Sequence, residues 1–176
     1  EKMASVVHAL AKHSLFAAAQ AGKTELVAEW LAAGADVNEK DPLGRSPLDR
    51  ASTEDVKAAL REHGGRHSLF HAAGEGMLEV VVELIEAGAD VVLEQNQLGE
   101  TALHVALKRG QAEVALLLVE KMSAEGLQTR DQKGTSVVEL AVDQKLDGAA
   151  AALVGRLWED ELQGDAARVE ALWGKA

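Results

Sequence analysis

The chain has 176 residues, of which 47% are hydrophobic and 27% charged, a composition that indicates a folded protein and excludes intrinsic disorder. It contains no cysteine, which excludes disulfide frameworks, thiolate metal sites and cysteine nucleophiles. Its net charge of −11 disfavours nonspecific binding to nucleic acid or to anionic membranes, because both need positive potential on the protein.

Neither a membrane-spanning run nor a secretory signal stands out in the sequence. The start, EKMASVVHAL, lacks a long apolar region and a basic cluster, and no apolar run reaches the roughly 18 residues that a bilayer requires. We therefore expect an intracellular, cytoplasmic protein that is not bound to a membrane, which the absence of cysteine also allows.

Two parts of the chain have nearly the same sequence. The stretch HSLFAAAQAG at residues 13–22 returns as HSLFHAAGEG at residues 67–76. The similarity continues, since TELVAEWLAAGADVN at 24–38 parallels LEVVVELIEAGADVV at 78–92. Self-similarity of this kind predicts a repeat protein, in which each unit buries its apolar face against its neighbours.

Three turn signals stand between the helical patterns. They are DPLGRSPLD at 41–49, NQLGETALH at 96–104 and DQKGTSVVE at 131–139. Glycine in each supplies the backbone conformation that a tight turn needs. Ser46 and Thr101 are predicted to cap the helices that follow.

These motifs resemble the ankyrin repeat, which joins an Asp-x-x-Gly turn, a Thr-Pro-Leu-His helix start, a second helix and a Gly-Ala-Asp-Val-Asn ending. SPLD, TALH, GADVN and GADVV stand at the expected offsets. The resemblance implies an all-α solenoid of about five stacked helix-turn-helix repeats, with short β-hairpin fingers and a C-terminal capping helix. One position of the repeat is occupied in turn by Leu15, Leu48, Leu69, Leu103 and Val138.

The resemblance also implies domain boundaries. Residues 1–12 are expected to form an N-terminal helical cap, 13–158 the ankyrin repeat domain, and 159–176 a C-terminal capping helix or a degenerate sixth repeat. The short spacing from Leu48 to Leu69 indicates that the second repeat is shortened and that the third begins without a hairpin finger. The expected repeats lie at about 13–40, 41–65, 66–95, 96–130 and 131–158.

Three histidines have a spacing that metal sites use. His63, His67 and His71 are four residues apart and would line one face of a continuous helix, where they could hold Zn²⁺. Gly64 and Gly65 interrupt such a helix, and no carboxylate or cysteine in the pattern completes a ligand set. We therefore expect no metal site.

No pattern in the sequence predicts catalysis. The segment AGKT at 21–24 resembles the end of a phosphate-binding loop, but that loop needs a glycine where Ala17 stands. No serine lies in a Gly-x-Ser-x-Gly elbow, and no nucleophile and base form a recognisable pair. The sequence therefore predicts neither an enzyme nor a bound cofactor.

The family resemblance implies a function in protein binding. Ankyrin proteins are generally non-catalytic and bind partner proteins on a concave surface made of hairpin tips and first helices. Two leucines of this surface are expected to be exposed apolar anchors, and its basic residues a neutral-to-positive stripe that suits an acidic or mixed peptide. The implied binding residues are Leu43, Arg45, Glu75, Gln97, Leu98, Glu100, Lys108, Arg109, Gln132 and Lys133.

Two biological roles are consistent with a protein-binding function. The chain is expected to be an adaptor or inhibitor, a monomer that binds a protein of unknown identity and binds neither nucleic acid nor membrane. Alternatively, it is a structural segment of a longer ankyrin array. Nothing in the residues identifies the partner.

Overall fold

A computed structural model describes residues 15–90 and 94–158, which divide between two compact units, Glu1–Ala72 and Ala73–Ala176. The predicted caps at 1–12 and 159–176 lie outside the described residues. All regular secondary structure in the described ranges is helical, apart from one isolated bridge between Arg130 and Ser136. This confirms the predicted all-α fold, and the hairpin fingers are tight turns rather than paired strands.

The first unit is built from short helices around a small apolar core. Helix α2 packs against α4, and α4 also packs against α3. The small side chains of Ala18 and Ala19 are buried in this core, which allows the helices around it to approach closely. The helices are α1 (15–20), α2 (Thr24–Ala32), α3 (Pro47–Arg50), α4 (Glu54–Glu62) and α5 (Leu69–Glu75), the last of which continues into the second unit.

The second unit has a larger core centred on α7, which packs against both α8 and α10. Leu103, Leu107 and Leu118 are fully buried there. None of the helices within 15–90 and 94–158 is long and apolar enough to cross a bilayer. The helices are α6 (Leu78–Glu86), α7 (Ala102–Lys108), α8 (Ala112–Lys121), α9 (Ala124–Leu127), α10 (Val137–Asp143) and α11 (147–158).

The predicted helix caps are confirmed. The Ser46 hydroxyl accepts a hydrogen bond from the Asp49 backbone N–H, and the Asp49 carboxylate accepts one from the Ser46 N–H at 2.7 Å. Thr101 forms the same reciprocal capping box with His104. Ser136 and Glu139 form a third, which the sequence signals through its Ser-x-x-Glu spacing.

The connection from α4 to α5 is short and lacks a finger turn. Helix α4 ends at Glu62 and α5 begins at Leu69, whereas a turn over residues 41–45 separates α2 from α3. The Asn38 side chain holds the short connection, because it donates to the Gly64 carbonyl at 3.0 Å and accepts from the Arg66 N–H at 2.8 Å.

Candidate functional site

Seven of the ten predicted binding residues lie in three tight turns, which we call the first (41–45), second (96–100) and third (131–135) fingers. All three share one hydrogen-bond scheme. An oxygen on the side chain of the opening residue accepts two backbone N–H groups, at 2.9 or 3.0 Å. The turn conformation is therefore fixed before any partner arrives. The opening residues are Asp41, Asn96 and Asp131.

The first finger also packs against an aromatic ring, that of Phe70. Gly44 has a φ of 75°, and a Cβ added there would lie 2.4 Å from the buried Phe70 ring. Glycine is therefore required at Gly44 both by its backbone conformation and by the close approach of Phe70.

The second and third fingers are hydrogen-bonded to each other. The Gln132 N–H donates to the Leu98 carbonyl at 2.9 Å, and the Gln132 side-chain amide donates to the Gln97 carbonyl at 2.5 Å. These bonds place Gln97, Leu98, Gln132 and Lys133 on one rigid surface of the second unit.

The leucines expected at the fingertips are exposed, which confirms that part of the prediction. Leu43 is 38% exposed and Leu98 is 46% exposed. Leu43 also lines a groove of about 540 Å³ in the first unit. The other described lining residues are Phe16, Glu39, Lys40, Asp41, Pro42, Arg45 and Arg50.

The expected positions of Glu100 and Lys108 need correction. Glu100 is buried rather than exposed at a fingertip. The Lys108 ammonium lies 2.7 Å from a Glu100 carboxylate oxygen and 2.7 Å from one of Asp131, so it links the second finger to the third. Sequence reasoning missed this ion triad because its members are far apart along the chain.

The contacts of the triad shift the pKa values of Asp131 and Lys108. The hydrogen bond from Lys108 holds the pKa of Asp131 well below its usual range, although burial acts in the opposite direction. Burial lowers the pKa of Lys108, but its hydrogen bonds to Asp131 and Glu100 outweigh this and raise the value overall. Asp131 and Lys108 are therefore both charged at neutral pH, and the two charges compensate each other across a 2.7 Å ion pair.

Arg45, like Lys108, belongs to the expected positive stripe and is neutralised by a close ion pair. The Arg45 guanidinium lies 2.8 Å from the Asp41 carboxylate within the first finger. Arg109 lies 3.7 Å from Glu75, with both side chains well exposed, so this pair is weak. Lys133 is exposed and makes no ion pair with any residue in the described ranges. The charge available to a partner is therefore smaller than the sequence suggests.

A second cluster contradicts the expectation that no carboxylate accompanies the histidines. The Asp49 carboxylate lies 2.8 Å from His67 Nδ1, and the ring of His71 stacks on that of His67. Burial raises the pKa of Asp49, but hydrogen bonds from His67, Ser68 and Ser46 outweigh it and hold the value below its usual range. His63, by contrast, is turned to the Ala59 carbonyl at 2.9 Å.

Comparison with known proteins agrees with the helical repeats. A family model described as "Ankyrin repeats (3 copies)" matches residues 5–125 and 69–157. Ankyrin repeats are generally non-catalytic protein-interaction modules.

Curated relatives match over small parts of their own length. "Neurogenic locus notch homolog protein 1" of Mus musculus is 29% identical over an alignment of 136 residues that covers 68% of this chain and 5% of that protein. "Neurogenic locus notch homolog protein 2" of Homo sapiens is 29% identical over 133 residues, with the same shares. "Nuclear factor NF-kappa-B p105 subunit" of Gallus gallus is 30% identical over an alignment of 146 residues that covers 74% of this chain and 15% of that protein.

Proposed function

Because the chain belongs to the ankyrin-repeat family, we propose that it is an adaptor or inhibitor that binds a partner protein through its fingers. The observation that carries this proposal is the pair of exposed leucines, Leu43 and Leu98, at matching positions of turns with the same hydrogen bonds. Exposed apolar side chains on a rigid frame suit binding, because little conformational entropy is lost when a partner covers them.

The structure changes the roles we assign within the predicted set. We propose that Leu43 and Leu98 are the anchors, with Gln97, Gln132 and Lys133 as polar contacts. Arg109 and Glu75 stay in the proposed surface as exposed residues at the ends of first helices. Glu100, Lys108 and Arg45 support the fingers through internal ion pairs instead. Apolar contact therefore contributes more to this surface than positive charge.

The chain supplies a matched control for a binding experiment. Leu116 on α8 lies outside the fingers and is 37% exposed, nearly the same as Leu43. Proteins captured from a lysate by the wild-type chain would be identified by mass spectrometry, and the affinity of each purified candidate would then be measured for Leu43→Ser, Leu98→Ser and Leu116→Ser.

We expect each finger substitution to weaken binding about tenfold or more, since buried anchors typically contribute over 1 kcal/mol. Leu116→Ser should bind as the wild type does. Equal loss for all three variants would contradict the assignment to the fingers. A chain that captures no protein under any condition would contradict the interaction function itself.

A second candidate role is a segment of a longer array. Val142, Val154 and Trp158 on α10 and α11 are 61%, 52% and 63% exposed. We propose that residues 159–176 cap this apolar surface, as solenoid ends require. Deletion of 159–176 should then lower Tm, whereas an unchanged Tm would favour a further repeat as its cover.

We also propose that the chain acts as a monomer in the cytoplasm.

A further inference from the structure

We propose that Asp49, His67 and His71 form a zinc-binding site. Each residue offers one ligand atom, and these atoms all lie within 4.8 Å of one another. Two imidazole nitrogens and one carboxylate oxygen are a donor set that Zn²⁺ accepts, with water in the fourth position. The site lies beside the short connection from α4 to α5, entirely within the first unit.

The distances leave only a small rearrangement for metal binding. Zinc holds its nitrogen and oxygen ligands at about 2.0–2.2 Å, so neighbouring ligands of a tetrahedral site are about 3.3 Å apart. Asp49 Oδ1 and His67 Nδ1 are 2.8 Å apart in a hydrogen bond. The His71 ring centroid is 5.4 Å from that of His67. The three donor atoms lie within 4.8 Å of one another, so the most distant pair would have to approach by up to about 1.5 Å to share one ion.

The hydrogen bond between Asp49 and His67 marks the place of the ion. A hydrogen on Nδ1 bridges the two groups, and zinc would take its place at Nδ1 while the neutral His67 ring carries its hydrogen on Nε2. The backbone N–H groups of Ser46 and Ser68 hold the other Asp49 oxygen at 2.7 and 3.1 Å. These bonds fix the carboxylate independently of the metal, as outer contacts do in metal sites.

The exposure of the three groups suits a site that can be filled from solvent. The Asp49 side chain is fully buried, while that of His67 is 18% exposed and His71 is partly exposed. The carboxylate therefore lies at the back of the site and the imidazoles at its opening. Water can reach the opening and complete the coordination.

Zinc titration of the purified full chain tests the site. The chain would be stripped of metal with a chelator, and calorimetry at neutral pH would measure Zn²⁺ binding to the wild type, His71→Ala and His63→Ala. His63 is the matched control, since it is an exposed histidine outside the cluster. We expect one zinc per chain, loss of affinity by at least about tenfold in His71→Ala, and unchanged affinity in His63→Ala.

A second variant separates the metal site from the fold. His71→Phe keeps an aromatic ring against His67 but has no ligand nitrogen, so we expect the Tm of the metal-free chain to stay close to wild type while zinc no longer raises it. Co²⁺ in place of zinc should give visible absorption that is absent in His71→Phe. Equal zinc affinity in the wild type and His71→Phe, or equal loss in His63→Ala, would overturn the proposal.

Discussion

Helices α3 and α7 are each the first helix of a repeat, α3 in the first unit and α7 in the second. Each carries one charged side chain that binds a residue of a later repeat. On α3 the charge is negative and stands at the helix start, where Asp49 binds His67 and the Ser68 N–H. On α7 it is positive and stands at the helix end, where Lys108 binds Asp131 of the third finger. The two connections therefore have opposite polarity and opposite positions along the helix.

The difference follows from the finger. After α7 a finger turn brings a carboxylate back over the end of the helix, so a cation there has a partner. Between α4 and α5 the finger is missing, and the next helix begins against the start of α3 instead. Asp49 thus stands where α7 has His104, which is fully buried and hydrogen-bonded to Thr101. The charged side chain is therefore near the helix start where the finger is missing, and at the helix end where a finger is present.

The largest effect is expected from reversing the charge of Lys108. Lys108→Glu would place three carboxylates together, two of them buried, and should lower the free energy of unfolding by about 4 kcal/mol. Lys133→Glu makes the same chemical change at an exposed lysine and should stay within about 0.5 kcal/mol of wild type. Urea denaturation measures the free energy of unfolding of both variants. Similar losses would contradict a stabilising role for the ion triad.

The close packing of Gly44 against the Phe70 ring is tested by comparing Gly44→Ala with Gly134→Ala. Both glycines have positive φ, at 75° and 81°, so alanine costs about 1 kcal/mol at either site for its backbone conformation. Only at Gly44 does the added Cβ meet a ring, that of Phe70 at 2.4 Å, which raises the expected loss to about 3 kcal/mol. Thermal unfolding of the two variants gives the difference, and an equal loss would contradict the packing of Phe70.

The connection made by Asp49 is tested by Asp49→Ala. The substitution removes the capping box and leaves His67 and the Ser68 N–H without their acceptor, so we expect a loss of about 2 kcal/mol. Glu139→Ala removes the corresponding residue of the third capping box, which is exposed, and should cost clearly less. Urea denaturation would contradict this account if Glu139→Ala were the more damaging change.

The smallest and most gradual effect is the pH dependence. Burial lowers the pKa of His104, so below about pH 6.5 the unfolded chain binds a proton that the folded chain does not, and stability falls. The pKa values of Asp131 and Asp49 are also lowered, so stability should fall again below about pH 4. Urea denaturation from about pH 7 to pH 3 should show both losses, and Asp131→Asn should reduce the second. Greater stability at pH 5 than at pH 7 would contradict the assignment for His104.

Sequence by itself determined the local structure. Backbone sterics and helix capping act between residues within a few positions of one another. They account for the helix starts at Ser46 and Thr101, for the glycine turns and for the repeated helical pattern. The exposure of Leu43 and Leu98 could also be predicted, because side chains at the tip of a tight turn project away from the helices that the turn connects.

Only the tertiary structure decided how the charges pair. Lys108 meets Asp131 across 23 positions of the chain and His67 meets Asp49 across 18, so no local spacing indicates either contact. Both pairings depend on how one repeat is laid against the next, and that is set by packing rather than by propensity. For the same reason a buried Glu100 and a carboxylate beside the histidines could not be read from the sequence: burial and ion pairing are properties of neighbours in space.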